Sequence, residues 1–135
     1  MSDSDVQAWI VDPLKPAGIA GLVTGSLHYS AGAAEWQPTT EKGFWIKPLF
    51  EDVSSGTKTL LMKVDPGAWS PMHNHPGELE QIYVLSGTFY DQHGTLKAGD
   101  FCCRAPAAAH EAGSLTGAVV LLIYTRPELP ARPCA

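Results

Sequence analysis

Short apolar runs separated by turn residues recur from Trp36 to Tyr124, at roughly the eight-to-twelve-residue spacing of strands in a sandwich or barrel. The pattern predicts a strand over residues 44–50, closed by its proline, then a polar turn over 51–58 and a strand over 59–64. Asp65-Pro66-Gly67 makes the next turn, proline presetting φ and glycine permitting positive φ. A strand carrying His73 and His75 follows, and residues 80–86 form another that ends at Gly87. Residues 88–90 and 95–97 flank a hairpin turn, Asp91-Gln92-His93-Gly94. Beyond the turn Ala98-Gly99-Asp100 come a strand over 101–104 and the unbroken apolar run of residues 118–124, expected to be buried on both faces.

The flanks carry weaker patterns. Residues 1–35 are expected to form an arm that wraps the domain or a partner subunit: Trp9-Ile10-Val11 suits a short strand or an apolar anchor, and residues 18–25 hold too many glycines for a helix. Residues 36–125 make one domain, and residues 126–135, with three prolines, a trailing tail.

Composition narrows the class. With 135 residues, 44% of them hydrophobic, the chain can build a single core. Thirteen glycines and eleven prolines suit many short strands better than long helices. The net charge of −5 and the lack of a basic cluster argue against a nucleic-acid partner. No apolar run approaches the roughly 20 residues that span a bilayer. The acidic start Met-Ser-Asp-Ser-Asp has none of the features of a signal peptide. A cytoplasmic protein with no membrane partner is the expectation. Cys102 and Cys103 are adjacent and Cys134 lies in the tail, so the three cysteines read as small strand residues rather than a disulfide framework.

The chemistry concentrates between residues 67 and 110. His73 and His75 stand at i and i+2, which on a strand places both imidazoles on one face, able to share an ion. Past the Pro76-Gly77 bend, Glu80 shares a face with Ile82 and Val84. A carboxylate on an apolar face is costly without a partner, and a cation is the simplest one. His110, 35 residues beyond His75, supplies a third imidazole through a hairpin. The mixed set of His73, His75, His110 and Glu80 suits one divalent transition metal: Fe, Mn, Ni, Cu or Zn.

Two points stay open at this level. Glu78, in the bend, competes with Glu80 as carboxylate ligand, although the alternation favours Glu80. Glu80 could also orient a histidine without touching the ion. His93 reads as a solvated turn residue, His28 has no chemical context, and Tyr83 faces away from Glu80 and suits packing. Trp69, Met72, Phe89, Phe101 and Tyr124 could line a pocket, but such residues are also ordinary core.

The string Gly67-x5-His73-x-His75-x4-Glu80-x6-Gly87 resembles the first cupin motif position for position. Gly99, Pro106 and His110 resemble the second, with differences in the loop. Six residues instead of five separate Gly99 from Pro106, Ala108 replaces a second glycine, His110 comes one residue early, and the closing asparagine is absent. Within that superfamily, Trp36, Lys47-Pro48-Leu49, Pro66-Gly67-Ala68 and Gly87-Thr88-Phe89 followed by Asp91-x-x-Gly94 are similar to the ChrR-like cupins. That group includes the zinc-binding regulatory domain of an anti-sigma factor and relatives of acetylacetone-cleaving dioxygenases. The resemblance implies an all-β, double-stranded β-helix (the cupin jelly roll) with a metal inside its barrel, assembled as a homodimer.

Site and resemblance together lead to the expectation of a small Fe(II) dioxygenase that uses dioxygen to cleave a C–C bond of a small dicarbonyl or hydroxyketone. His73, His75 and His110 would be ligands, and Glu80 a fourth ligand or, displaced by substrate, a base. Two other readings are a saturated, zinc-loaded regulatory cupin and a metal-dependent isomerase or lyase using Glu80 for proton transfer. The fold hosts all three, so it does not choose among them.

Overall fold

The computed structural model describes His28 and residues 30–127. Trp9-Ile10-Val11, the glycine-rich stretch over 18–25, Cys134 and the tail beyond residue 127 lie outside the described residues. The described chain is all-β apart from a 3-10 turn at Ala31–Ala33. Its strands are β1 (Gln37–Pro38), β2 (Phe44–Asp52), β3 (Thr57–Val64), β4 (Trp69–His73), β5 (Leu79–Asp91), β6 (Gly94–Lys97), β7 (Phe101–Arg104), β8 (His110–Gly113) and β9 (Ala118–Thr125). Among the described residues no helix is long and apolar enough to cross a membrane.

All pairings are antiparallel, in the order β1-β2-β3-β9-β5-β8-β4 with β6 and β7 both added to β5. Strand β5 is the pivot. Its first half lies between β7 and β9, and its last four residues pair with β6, so one strand belongs to both sheets of the roll. The crossing needs a change of direction, supplied by a register shift between Val84 and Ser86 and by Gly87 at φ +74°. A bulge carries an extended strand around a corner where a turn would have ended it.

Alternation fills the space between the sheets. Glu80, Ile82 and Val84 of β5 and Ala118, Val120, Leu122 and Tyr124 of β9 point inward, and the register sets Ile82 beside Leu122 and Val84 beside Val120. Phe44, Val64, Phe89 and Ala112 complete the buried core. Each fully buried Val, Ile or Phe side chain contributes about 1.5–3 kcal/mol. A neighbouring cluster fastens the N-terminal side: Lys47 is buried, donates from Nζ to the Ala31 carbonyl at 3.0 Å, and lies 4.7 Å from the centre of the Trp36 ring.

Three local expectations change. Strand β2 runs through Pro48 to Asp52, because a register shift between Pro48 and Phe50 absorbs the missing N–H. Strand β5 runs through Gly87 to Asp91 instead of ending there. Strand β9 is buried on one face only: Val119, Leu121 and Ile123 are half-exposed, as an antiparallel sheet with a single covered face requires.

Gly87 has no room for a side chain. A Cβ there would fall on the Gly117 carbonyl oxygen, which accepts the Thr88 N–H at 3.2 Å. Gly87→Ala is therefore expected to cost at least about 2 kcal/mol, from the left-handed backbone together with the clash. Urea unfolding of the purified variant against wild type measures it.

Candidate metal centre

The site forms where two cross-strand rows face each other. In one sheet, Arg104 of β7, Glu80 of β5 and Tyr124 of β9 are successive register partners, so their side chains share the inner face. In the other, His73 of β4 and His110 of β8 are register partners, with ring centroids 4.4 Å apart. His75 lies beyond the end of β4, not on a strand with His73 as the spacing implied. β8 begins at His110, opposite His73, and the residues before it form a loop, so β4 has no strand to pair with past that point. The Ala107 N–H to His75 carbonyl bond, 3.2 Å, still holds the backbone there, and the His75 ring stands 5.1 Å from that of His73.

Candidate ligand atoms of His73, His75 and His110 all lie within 4.8 Å of one another. Two of the rings are oriented by backbone: Nδ1–H of His73 donates to the Pro71 carbonyl at 2.8 Å, and Nδ1–H of His110 donates to the Ala108 carbonyl at 3.1 Å. A carbonyl can only accept, so the proton resides on Nδ1 and the Nε2 lone pair is left for a ligand. Burial also pushes the His110 pKa below the usual histidine range, partly offset by that same carbonyl. The neutral, ligating form is favoured.

Glu80 stands beside this cluster, Oε2 3.5 Å from His75 Nε2 and Oε1 3.8 Å from His110 Nε2. Its oxygens are also held from behind: Arg104 Nε donates to Oε1 at 3.1 Å and the Tyr124 hydroxyl donates to Oε2 at 2.5 Å. Burial, and then the adjacent Glu80 charge, raise the Tyr124 pKa far above the ordinary phenol value, so Tyr124 remains a donor. Arg104 Nη1 meets Asp91 Oδ2 at 2.7 Å. Burial alone would raise the Asp91 pKa, but the Arg104 bond and the His93 and Gly94 N–H groups outweigh it and hold the carboxyl below its usual range. Two carboxylates thus share one guanidinium, leaving a surplus negative charge beside three imidazole lone pairs. That donor set fits a divalent transition ion.

The cluster borders a cavity of about 180 Å³ whose lining also includes apolar Phe44, Met62, Phe89 and Leu122 and polar Thr39 and Glu41. Glu78 lies elsewhere, paired with Lys58 at 3.3 Å and absent from the cavity wall. Of the candidate pocket residues, Phe89 and Tyr124 line the cavity, whereas Trp69, Met72 and Phe101 are exposed, as is Tyr83. His93 is exposed in its turn, and so is His28. Arg104 is the residue that reading the sequence missed. The signal was its inward position, two places from Cys102 on a short strand, but its partner Glu80 is 24 residues away.

A family model described as the ChrR cupin-like domain matches residues 24–128. The chain belongs to this family. No curated protein matches the cupin in sequence. An RmlC-like cupin from Shewanella frigidimarina NCIMB 400 shares 21% identity, covers 78% of this chain and 95% of its own, and superposes with a TM-score of 0.64. A predicted oxalate decarboxylase from Thermotoga maritima gives 22% identity, 71% and 96% coverage, and a TM-score of 0.60. The Rhodobacter sphaeroides complex of SigE with the anti-sigma ChrR contains a chain at 25% identity, with 67% of this chain and 49% of that chain covered and a TM-score of 0.57. At these identities the likeness is one of fold.

One feature of the cupin's second-motif loop departs from ordinary backbone. Ala107 has φ +64°, the one non-glycine in that region among the described residues, where the chain turns to place Ala108 against His110. Such a conformation costs an alanine about 1–2 kcal/mol. Ala107→Gly is expected to raise stability by about 0.5–1 kcal/mol, after the larger entropy loss of glycine is deducted. Thermal unfolding of the two proteins checks it.

Proposed function

We propose that this cupin is a metal-dependent enzyme, a small Fe(II) dioxygenase that cleaves a C–C bond of a small dicarbonyl or hydroxyketone. The supporting observation is the three-histidine cluster opening directly onto a partly apolar cavity. In this reading His73, His75 and His110 hold the ion, with Glu80 close enough to complete the set. A divalent iron held there supplies Lewis acidity toward the substrate's carbonyl oxygens and the redox chemistry for dioxygen. Glu80, beside the histidine cluster, would accept a proton from the carbon between two carbonyls. Tyr124 and Arg104 keep its carboxylate aimed at the cavity. Phe44, Met62, Phe89 and Leu122 keep water from the reacting carbons. The overall change balances without an external reductant: a β-diketone and dioxygen give a carboxylic acid and an α-ketoaldehyde, both oxygen atoms entering the products.

The likeness to the SigE–ChrR complex favours a second reading, a zinc-loaded regulatory module without turnover. Metal analysis and oxygen uptake separate the two. Iron-loaded protein given a panel of small diketones and hydroxyketones is expected to consume oxygen in step with substrate, and His73→Ala to lose at least about ten-fold in metal affinity along with that uptake. Stoichiometric zinc that does not exchange for iron, with no uptake on any substrate, would sink the oxygenase.

The assembly we infer is a homodimer through the outer face of the β3-β9-β5-β7 sheet. The register aligns Leu61, Leu121, Tyr83 and Phe101 in one outward row, with Tyr83 and Phe101 44% and 56% exposed. Such an outward apolar row, half-exposed at Leu61 and Leu121 and exposed at Tyr83 and Phe101, suits self-association. Light scattering is expected to find wild type dimeric and Tyr83→Arg monomeric; a monomeric wild type contradicts the assembly.

A further inference from the structure

Ser70 is a buried polar residue with no role in the site so far. It is 5% exposed, whereas Trp69 before it and Pro71 after it on β4 are exposed, so alternation puts its side chain on the inner face. Its register partner on β8 is Ala112, also buried, and both residues line the cavity beside the histidine cluster. Among the described residues the Ser70 hydroxyl has no hydrogen-bond partner, yet it is not sealed from solvent as Arg104 Nη2 is. An accessible hydroxyl on a buried, inward side chain faces interior space, and the space on that face is the cavity.

Other buried polar side chains of the lining are engaged. Glu80 is held by Arg104 and Tyr124, Arg104 also by Asp91, and His110 by the Ala108 carbonyl. A buried hydroxyl left without a partner is unfavourable, so a ligand group that meets Ser70 gains what the protein does not supply. Ala112 lies two residues past His110 on β8, which sets the Ser70–Ala112 row about 7 Å along the sheet from the His73–His110 row. One ligand oxygen at the histidines and another at Ser70 therefore belong to different parts of one molecule. Charge narrows the second group. Arg104 is the one Lys or Arg among the described lining residues, and two carboxylates already share it, so no side chain is left to balance an anion at Ser70. A hydroxyl donates and accepts as serine does and matches it fully.

We propose that Ser70 is a substrate-binding residue and that the substrate is a hydroxylated carbonyl compound, its carbonyl at the histidine cluster and a remote hydroxyl on Ser70. This rests on the metal-site reading above and narrows its substrate class. A plain diketone would satisfy the cluster and leave Ser70 unpaired.

The test compares two diketones that differ in one group, 6-hydroxyhexane-2,4-dione and heptane-2,4-dione, the second with a methyl where the first has its hydroxyl. Calorimetric titration of zinc-loaded wild type is expected to show the hydroxylated probe binding about five-fold more tightly. In Ser70→Ala the preference should fall to about two-fold or less, with zinc stoichiometry retained. Thermal unfolding of that variant should show no loss of stability, because the hydroxyl it removes has no partner in the fold. Equal affinities in wild type, a preference unchanged in Ser70→Ala, or a destabilised Ser70→Ala would overturn the proposal. Zinc supports no oxygen chemistry, so the ranking of the two probes stands apart from turnover. Protein that takes up no zinc would sink the metal-site reading and this proposal with it, whereas zinc-loaded protein that ranks the probes equally sinks the Ser70 assignment alone. Absence of oxygen uptake by the iron form would remove the oxygenase and leave the hydroxyl preference to be judged on these titrations.

Discussion

The site depends on one buried carboxylate. Glu80 is 4% exposed, inside an otherwise apolar strand face, and its ionised form would be untenable there without compensation. Compensation comes from register. Arg104 and Tyr124 are its neighbours on the two flanking strands, so the pairing of β5 with β7 and β9 also sets the charge balance of the interior. Removing either partner of a buried pair typically costs 3–5 kcal/mol, because the remaining charge is left unmatched. A one-residue slip of β5 would carry Glu80, Ile82 and Val84 together to the outer face. Packing and polar chemistry thus select the same register, and neither has to be traded for the other.

The facing row explains why the centre lies where it does. His73 and His110 come from the other sheet, so a ligand held by the histidines, with Glu80 close behind, bridges both layers of the roll. Any ion that binds the folded form alone adds stability in proportion to the logarithm of its concentration over its dissociation constant. The backbone carbonyls of Pro71 and Ala108 have already fixed two imidazole tautomers, which lowers the ordering left for binding. The Ala107 backbone is the local expense of that arrangement, and it falls in the loop where the second-motif spacing is irregular.

Much of this was legible in the chain. Period-two alternation put Glu80, Ile82 and Val84 on one buried face, and the histidine spacing marked the residues that the fold gathers. What failed to show had definite physical causes. Strands β2 and β5 continue through Pro48 and Gly87 because bulges absorb them, and a bulge depends on the partner strand, which local patterning does not see. His75 sits past the end of β4 because β8 begins opposite His73, again a property of the partner. Arg104 and Tyr124 reach Glu80 across 24 and 44 residues, through a register no single segment encodes. The apolar run of β9 suggested two buried faces, whereas hydrophobicity alone cannot say whether a face meets the core or another chain.

The cavity bears on the choice between catalysis and regulation. A dry void of this size would cost on the order of 4 kcal/mol at about 24 cal/mol per Å³, and less because the cavity is partly open to solvent. A closed structural zinc site gains nothing from such a space, since four ligands and a packed surround hold the ion best when no position is left open. An enzyme needs the opening, because substrate must reach the ion and displace something there. The lining is also mixed, with apolar Phe44, Met62, Phe89 and Leu122 beside polar Glu80, Arg104 and Tyr124. That mixture suits a small molecule that carries both hydrocarbon and oxygen groups.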